Sequence, residues 1–269
     1  MTASDAAAAK AQYNAHALLR GLGILDAVAA NGEPLSFSRL HEITGQPKST
    51  LVRLLAVLEA AEYIVKVDER PAYRLGHAML PIVAGYFQSG SLSEVVRPHL
   101  RRLALSTGWT ANFGILDGDQ VRHLGVEFPD RPLRYTTAEG SLAPTYCTGL
   151  GKAILSALPE KDARAAAPGS KYPRLTDHTI TSWSALATEL AAIQDRGYAI
   201  DAEEASIGLR CLAVPVVTAQ GVLGALSVSG PAGESDAERD GTFVTALLAS
   251  RDELLRERGL ETALGLTVR

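Results

Sequence analysis

The sequence predicts a two-domain protein of the α+β class. Its 269 residues are many for a single domain, since about 150 residues per domain is usual. The first quarter of the chain combines helix-period apolar patterns with two short strand patterns, whereas the remainder alternates strands with helices. Hydrophobic residues make up 46% of the chain and charged residues 21%, which is typical of a globular protein with a sizeable core.

The composition excludes several classes of protein. With 26 basic and 30 acidic residues the net charge is −4, which excludes a histone-like or ribosomal-type basic protein. The two cysteines, Cys147 and Cys211, form no C-x-x-C pair, which excludes a disulfide framework or a cysteine-rich metal site. Residues 1–12 lack the features of a signal peptide, and no run approaches the ~18 apolar residues of a membrane span. We therefore expect a soluble, cytoplasmic protein with no membrane partner.

The first predicted element is a helix over residues 15–30. Its apolar residues recur at steps of three and four, so they share one face; they are Leu18, Leu22, Leu25 and Val28. Gly32 suits the position just after a helix, and Pro34 cannot continue one. The helix is therefore expected to end near residue 30.

A helix-turn-helix follows the first helix. Ser36 or Ser38 can cap a short second helix, and residues 44–46 form a tight turn. Pro47 suits the first position of a third helix over residues 48–61. The third helix carries an apolar stripe, formed by Leu51, Leu54, Leu55 and Leu58. A three-residue turn makes consecutive helices cross steeply.

Two short strands complete the N-terminal domain. Residues 63–67 and 72–75 read as strands, and residues 68–71 as the turn between them. Three helices followed by a β-hairpin are the pattern of a winged helix-turn-helix, which we assign to residues 1–75. A connecting helix is expected over residues 76–90.

The second domain is assigned to residues 91–269. Helices are expected over residues 92–106, 150–158, 184–196 and 236–258, and strands over 111–116, 120–128, 133–137, 211–217 and 222–229. An antiparallel sheet flanked by helices is typical of a sensor-like α+β domain.

The leading turn of the third helix is polar and basic. Residues at the start of a recognition helix contact base edges, while its apolar remainder anchors the helix to the domain. Arg53 can reach a guanine edge, and the hairpin arginines can meet the flanking phosphates. The residues expected to contact DNA are Lys48, Ser49, Thr50, Arg53, Arg70 and Arg74. The alternative is that these charges form an ordinary solvated helix face.

The net charge of this domain sets a limit on its DNA affinity. Residues 1–75 hold eight basic and eight acidic side chains, so the domain is neutral overall. Non-specific electrostatic affinity should be modest, and useful affinity would need base contacts made by two domains together. We therefore expect a homo-oligomer on a palindromic operator in double-stranded DNA.

Six segments of the chain resemble the signature segments of IclR-type bacterial transcriptional regulators, in the same order. They are RGLGIL at residues 20–25, GQPKSTLVRLL at 45–55, YRLG at 73–76, TGLGKA at 148–153, GLRCLA at 208–213 and GALSVSGP at 224–231. The resemblance covers about residues 15–255. It implies a GAF-like C-terminal domain that binds a small effector and mediates oligomerisation, with a dimer or a tetramer built as a dimer of dimers.

The resemblance also implies which residues line the effector pocket. They are Gly149, Leu150, Asp201, Leu209, Cys211, Ser227 and Ser229. The chemistry of these residues suits a small organic acid, because both serines face one side of a strand and the helix beginning at Gly149 offers free N–H groups. The alternatives are that the serines are bonded within the fold and that Cys211 is a small buried hydrophobe.

Aromatic residues near these segments favour one class of acid. Trp109, Phe113, Tyr135 and Tyr146 are expected to wall the pocket, which favours an aromatic catabolite. A short aliphatic acid such as a keto acid is the alternative.

No catalytic arrangement is present in the sequence. His41 and Glu42 lack the second histidine of H-E-x-x-H, and neither Ser227 nor Ser229 lies in a G-x-S-x-G motif. The six histidines have no metal-ligand spacing. We therefore expect a ligand-responsive regulator with no catalytic residue, cofactor or metal. The alternatives are a small-molecule-binding enzyme whose N-terminal module mediates protein contacts, and a constitutive DNA-binding protein whose second domain only dimerises.

Overall fold

The computed structural model describes residues 3–31, 33–67, 72–83, 92–132, 134–169, 171–257 and 260. Within these ranges, side chains are described except in residues 3–15 and 92–94. The chain divides into two compact units, with the division between residues 89 and 90.

The N-terminal unit is a winged helix-turn-helix. Its elements are α1 (Ala3–Ala29), β1 (Leu35–Ser36), α2 (Phe37–Thr44), α3 (Lys48–Ala60), β2 (Ile64–Val67) and β3 (Ala72–Leu75). The three strands form an antiparallel sheet in the order β1-β3-β2. The apolar faces of all six elements meet in one core, which contains Ile24, Val28, Leu35, Leu40, Leu51, Leu55, Ile64 and Tyr73.

Local sequence explains where these helices begin and end. Of the two predicted caps for α2, Ser36 is the one used, because its side chain accepts a hydrogen bond from the N–H of Arg39. Gly45 ends α2 with a positive φ of 61°, which a glycine adopts without strain. Gly32, which was expected to end α1, lies outside the described residues.

The connecting segment is described only in part. A 3₁₀ turn at His77–Met79 leads into helical residues 80–83. The rest of the predicted connecting helix, residues 84–90, lies outside the described residues, as does the predicted DNA-contacting residue Arg70.

The C-terminal unit is an antiparallel sheet with helices on both faces. Its helices are α4 (Leu92–Thr107), α5 (Gly149–Ser156), α6 (Glu160–Ala165), α7 (Trp183–Arg196) and α8 (Ala237–Leu254). Its strands are β4 (Thr110–Asp117), β5 (Gln120–Glu127), β6 (Leu142–Pro144), β7 (Ala199–Ala202), β8 (Leu209–Thr218) and β9 (Gly221–Pro231). The strand order is β6-β5-β4-β9-β8-β7.

The two faces of this sheet bury different helices. Because side chains alternate along a strand, Leu226 and Val228 on β9 pack in a core with residues of α4 and α8. On the opposite face, Ala213 and Ala225 pack in a second core with residues of α5 and α7. Because both faces of β8 and β9 pack against helices, these long strands read as apolar runs.

One predicted strand is wrong. Residues 134–137 belong to no strand, and Leu133 lies outside the described residues. The carbonyl oxygen of Tyr135 instead accepts a hydrogen bond from the hydroxyl of Thr110 at 2.5 Å. The third strand of the unit is β6, which pairs with β5.

Substitution of two glycines should change the stability of this unit in opposite directions. A Cβ at position 230 would overlap the ring of the buried Trp109, so Gly230→Ala should cost about 1–3 kcal/mol. Gly241 lies in α8 with open space around it, so Gly241→Ala should stabilise by about 0.5–1 kcal/mol. Both tryptophans, Trp109 and Trp183, lie in this unit, so urea unfolding followed by tryptophan fluorescence measures its stability. Equal stability of the two variants would contradict the packing described here.

Candidate functional site

The turn between α2 and α3 is tied to α1 and to the end of α2. The side-chain amide of Gln46 donates to the carbonyl oxygen of Arg20 at 3.0 Å. Nδ1 of His41 lies 2.7 Å from the carbonyl oxygen of Gln46. Leu51 and Leu55 are buried on the inner face of α3. These contacts fix the direction in which the start of α3 projects from the unit.

The predicted DNA-contacting side chains lie on the outer surface. Lys48, Ser49 and Arg53 are exposed at the start of α3, Thr50 is half-buried, and Arg74 is exposed on β3. Within the described residues, no carboxylate forms an ion pair with Lys48 or Arg53. A polar, basic and unobstructed leading turn is what entry into a DNA groove requires.

The C-terminal unit contains a cavity of about 50 Å³ between its sheet and the start of α5. All seven residues predicted to form the effector pocket line it, namely Gly149, Leu150, Asp201, Leu209, Cys211, Ser227 and Ser229. Tyr135, expected among the aromatic walls, also lines it. The sequence did not assign the remaining lining residues to the pocket; they are Asn112, His123, Ala143, Thr148 and Ala205. The structure thus brings together residues from all six strands of the sheet, the start of α5 and the loops beside them.

The floor of the cavity is a polar patch on three neighbouring strands. Asn112 on β4 lies opposite Ser227 on β9, and Ser229 lies opposite Cys211 on β8. The amide Nδ2 of Asn112 is 3.3 Å from each serine hydroxyl oxygen and 3.3 Å from the carbonyl oxygen of Thr110. The two hydrogens of this amide are shared among the three acceptors. A serine that accepts from the amide can still donate its own hydrogen, and the hydroxyl of Ser229 also contacts the thiol of Cys211.

The first turn of α5 supplies backbone donors to the cavity. Thr148 caps the helix by accepting a hydrogen bond from the N–H of Gly151 at 3.1 Å. The N–H groups of Gly149 and Leu150 have no acceptor within the helix. A Cβ at position 149 would lie 3.1 Å from the Cβ of Cys211, so a glycine lets the helix start close to β8. This geometry suits a carboxylate placed between the helix and the serines.

Asp201 is a buried carboxyl group in the cavity wall. Its side chain is fully buried, and Oδ1 accepts hydrogen bonds from the N–H groups of Glu204 at 2.8 Å and Ala205 at 3.4 Å. Oδ2 has no hydrogen-bond partner of good geometry, although the thiol of Cys211, opposite Asp201 on β8, is a weak donor close to this carboxyl group. Burial raises the pKa of Asp201, an effect that the two N–H groups and the charge of Lys152 oppose.

A buried ion pair lies behind Asp201. Lys152 on α5 is 1% exposed, and its ammonium group pairs with Glu204 and lies 3.7 Å from Glu189. Burial raises the pKa of Glu204 to about 7. Lys152 therefore serves as a counter-charge for buried carboxylates, a role for which its position in the sequence gave no signal.

The two cysteines are buried thiols. Burial raises the pKa of Cys147 to about 12 and raises that of Cys211 well above its usual value. A thiol with a raised pKa stays protonated and is a weak nucleophile. Cys211 therefore fills space and offers a weak polar contact in the cavity.

The expectation of aromatic walls is wrong for three of the four residues. Phe113 and Trp109 pack in the core on the other face of the sheet, because side-chain alternation turns Phe113 away from its neighbour Asn112. Tyr146 packs in the core beside α5, where its hydroxyl donates to the carbonyl oxygen of Pro173 at 2.6 Å. Tyr135 is the one that lines the cavity.

The described part of the chain offers neither a cluster of metal ligands nor a membrane-spanning helix. No three or more His, Cys, Asp or Glu residues in the described ranges are grouped so that they could hold a metal ion. Among the helices that the structure describes, none is both long and apolar enough to cross a membrane.

Comparison with known proteins relates both units to one family. Residues 17–68 match the family model for the IclR helix-turn-helix domain, and residues 84–255 match that for the bacterial transcriptional regulator IclR C-terminal domain. The HTH-type transcriptional repressor AllR of Escherichia coli strain K12 is 31% identical over 259 residues, which cover 95% of this chain and 93% of AllR.

Solved structures share the fold. An IclR transcriptional regulator from Alicyclobacillus acidocaldarius superposes with a TM-score of 0.78 at 23% identity, covering 88% of this chain and 96% of that one. An IclR homolog from Microbacterium hydrocarbonoxydans, crystallised with 4-hydroxybenzoate, superposes with a TM-score of 0.70 at 20% identity, covering 93% of this chain and 100% of that one.

The buried carboxyl group of Glu204 should make the stability of the protein depend on pH. Its pKa is about 7 in the folded chain against a usual 4.5, so the folded state binds this proton more tightly. Its stabilising contribution is fully present below pH 4.5 and is lost as the pH rises through about 7. Glu204→Gln should therefore reduce the fall in unfolding free energy between pH 5 and pH 8 by on the order of 2 kcal/mol.

Urea unfolding at several pH values measures this effect. Glu238→Gln is the matched control, since Glu238 is exposed at the start of α8. A pH dependence that is the same in wild type and Glu204→Gln would contradict the assignment.

Proposed function

Because the chain belongs to the IclR family of bacterial transcriptional regulators, we propose that it binds a palindromic operator through its winged helix-turn-helix and senses a small organic acid in its C-terminal cavity. The observation that carries the proposal is the convergence of all seven predicted pocket residues on one cavity with donors for a carboxylate. AllR, the relative at 31% identity, is named a repressor, which supports repression as the sign of regulation.

The operator contacts are proposed for the exposed start of α3. Arg53 reads a base edge, and Lys48, Ser49 and Thr50 contact bases or phosphates. Arg74 on the hairpin, and Arg70 from the sequence pattern, meet the flanking backbone. Because the N-terminal domain carries no net charge in residues 1–75, two domains acting together supply the affinity, so the regulator acts as a homodimer or tetramer.

The size of the cavity favours a short aliphatic acid. A cavity volume of about 50 Å³ favours a ligand of a few atoms over an aromatic ring with its carboxylate. A single aromatic side chain, Tyr135, lines it. The homolog from Microbacterium hydrocarbonoxydans holds 4-hydroxybenzoate, but at 20% identity it supports only the fold. Of the two classes open from the sequence, we therefore favour the aliphatic one.

We propose one role for each of the three segments predicted from the sequence. Residues 1–75 bind DNA, residues 76–90 connect the domains, and residues 91–269 bind the effector and mediate oligomerisation. An acid that binds one conformation of the effector domain more tightly shifts the population toward it, and the connecting segment passes this shift to the paired winged helices.

Replacement of Arg53 tests the operator contact. Arg53→Ala should weaken binding to a duplex selected from a random-sequence library by about 1–3 kcal/mol, while binding to a scrambled duplex changes little. Gel-shift titration at fixed salt measures both affinities. Arg101→Ala, which removes an exposed arginine from the C-terminal unit, controls for the charge. Unchanged selectivity in Arg53→Ala would remove this residue from base recognition.

Replacement of both serines tests the cavity. In a thermal-shift screen of organic acids, a ligand of the native state raises the unfolding temperature of wild type. Ser227→Ala with Ser229→Ala should abolish this rise without loss of the fold, because the carboxylate loses two donors. Ser156→Ala is the matched control, a buried serine of α5 that does not line the cavity. If calorimetry shows that the double variant still binds the acid found in the screen, this pocket is refuted. If no acid binds the wild type, a constitutive DNA-binding protein is favoured.

A further inference from the structure

Two acceptor atoms in the effector cavity have no hydrogen-bond partner. They are Oδ1 of Asn112 and Oδ2 of Asp201. Both side chains line the cavity, and they are 1% and 0% exposed. In folded proteins nearly all buried polar atoms are paired, and an unpaired one carries a substantial desolvation cost. These two atoms therefore indicate what kind of molecule completes the site.

The orientation of both groups is fixed by the surrounding protein. A carbonyl oxygen can only accept, so the contact of Thr110 with Nδ2 of Asn112 identifies Nδ2 as the amide nitrogen and Oδ1 as the unpaired acceptor. Oδ1 of Asp201 is held by the N–H groups of Glu204 and Ala205, which leaves Oδ2 unpaired. Rotation of either side chain to hide its acceptor would break these contacts.

Donors and acceptors in the cavity are thus both available to a ligand. The hydroxyls of Ser227 and Ser229 and the first N–H groups of α5 are donors, and they suit a carboxylate. The unpaired oxygens of Asn112 and Asp201 need a donor. A carboxylate alone, or a 2-oxo acid, offers only acceptors and would leave these two oxygens unpaired.

We propose that the effector is a 2-hydroxy acid of two or three carbons, which binds with its carboxylate toward the serines and α5 and its hydroxyl toward Asn112 and Asp201. This inference rests on the proposed function, since it specifies the ligand of the same cavity. A hydroxyl has one hydrogen, so it satisfies one of the two oxygens, and the carboxylate oxygen Oδ2 of Asp201 is the stronger acceptor. The short carbon chain agrees with a cavity of about 50 Å³.

Matched pairs of acids test the inference on the wild-type full-length protein. Lactate and pyruvate share one carbon skeleton, but lactate has a hydroxyl where pyruvate has a carbonyl; glycolate and acetate differ by the hydroxyl. Isothermal titration at pH 8 should show at least tenfold tighter binding of one lactate enantiomer than of pyruvate, and of glycolate than of acetate. Because burial raises the pKa of Asp201, a mildly basic pH is chosen to increase the fraction that acts purely as an acceptor.

A single substitution should reverse the preference. In Asp201→Asn, Oδ1 still accepts from two backbone N–H groups, so the new amide nitrogen takes the place of Oδ2 and becomes a donor. The ratio of lactate to pyruvate affinity should fall at least tenfold, with pyruvate gaining. Asp195→Asn, which changes an exposed carboxyl group on α7, should leave the ratio unchanged.

The outcomes separate this inference from the proposed function. Pyruvate and acetate binding as tightly as their hydroxylated partners would overturn the hydroxy acid and leave a sensor of small acids. A folded Asp201→Asn with an unchanged ratio would overturn the role of Asp201. If none of the four acids binds but the operator is still bound, both the hydroxy acid and the proposed ligand size fail while the DNA-binding function stands. If Asp201→Asn does not fold, the affinities of the wild-type protein for lactate against pyruvate and for glycolate against acetate decide whether the effector is a hydroxy acid.

Discussion

The close approach of α5 to the sheet is the constraint on which the C-terminal unit depends. All eight residues of this helix are buried, and two glycines allow it to lie so near the strands. A Cβ at position 149 would lie 3.1 Å from that of Cys211, and one at position 151 would overlap the backbone of Thr145. The approach brings the free N–H groups of the helix opposite the hydroxyls of β9. A polar cavity therefore lies where the start of α5 faces the polar residues of β4 and β9.

The same helix places the ammonium group of Lys152 in the core. This group connects the stability of the core to the position of Asp201 in the cavity wall. Lys152 lies on α5 one turn after the cavity-lining residues and pairs with Glu204. The backbone N–H of Glu204 in turn holds Oδ1 of Asp201 at the cavity wall. Removing one partner of a buried pair leaves the other charge uncompensated, so this arrangement is costly to alter. The orientation of Asp201 is thus fixed by the core.

In the N-terminal unit, the proposed DNA-binding surface is the part of α3 that the core does not cover. The core of the unit takes Leu51 and Leu55 of α3, and Gln46 secures the preceding turn to α1. The first turn of α3 is left exposed with Lys48 and Arg53 free of ion pairs among the described residues. Because residues 1–75 carry no net charge, the proposed recognition depends more on shape and base contacts than on charge.

The sequence by itself determined the α+β class, the helices of the winged unit and the long strands β8 and β9, because these depend on local periodicity, caps and turns. Motif resemblance supplied all seven predicted pocket residues, and strand alternation placed the hydroxyls of Ser227 and Ser229 on one face. Only the tertiary structure decided which face of the sheet received Phe113 and Trp109, that Asn112 lies under the serines, and that Lys152 neutralises Glu204. These three features depend on strand order and on helix packing between residues far apart in the chain. A local sequence pattern does not specify which distant residues come together. The size of the cavity was decided in the same way, since it is the space left over when helix and sheet have packed.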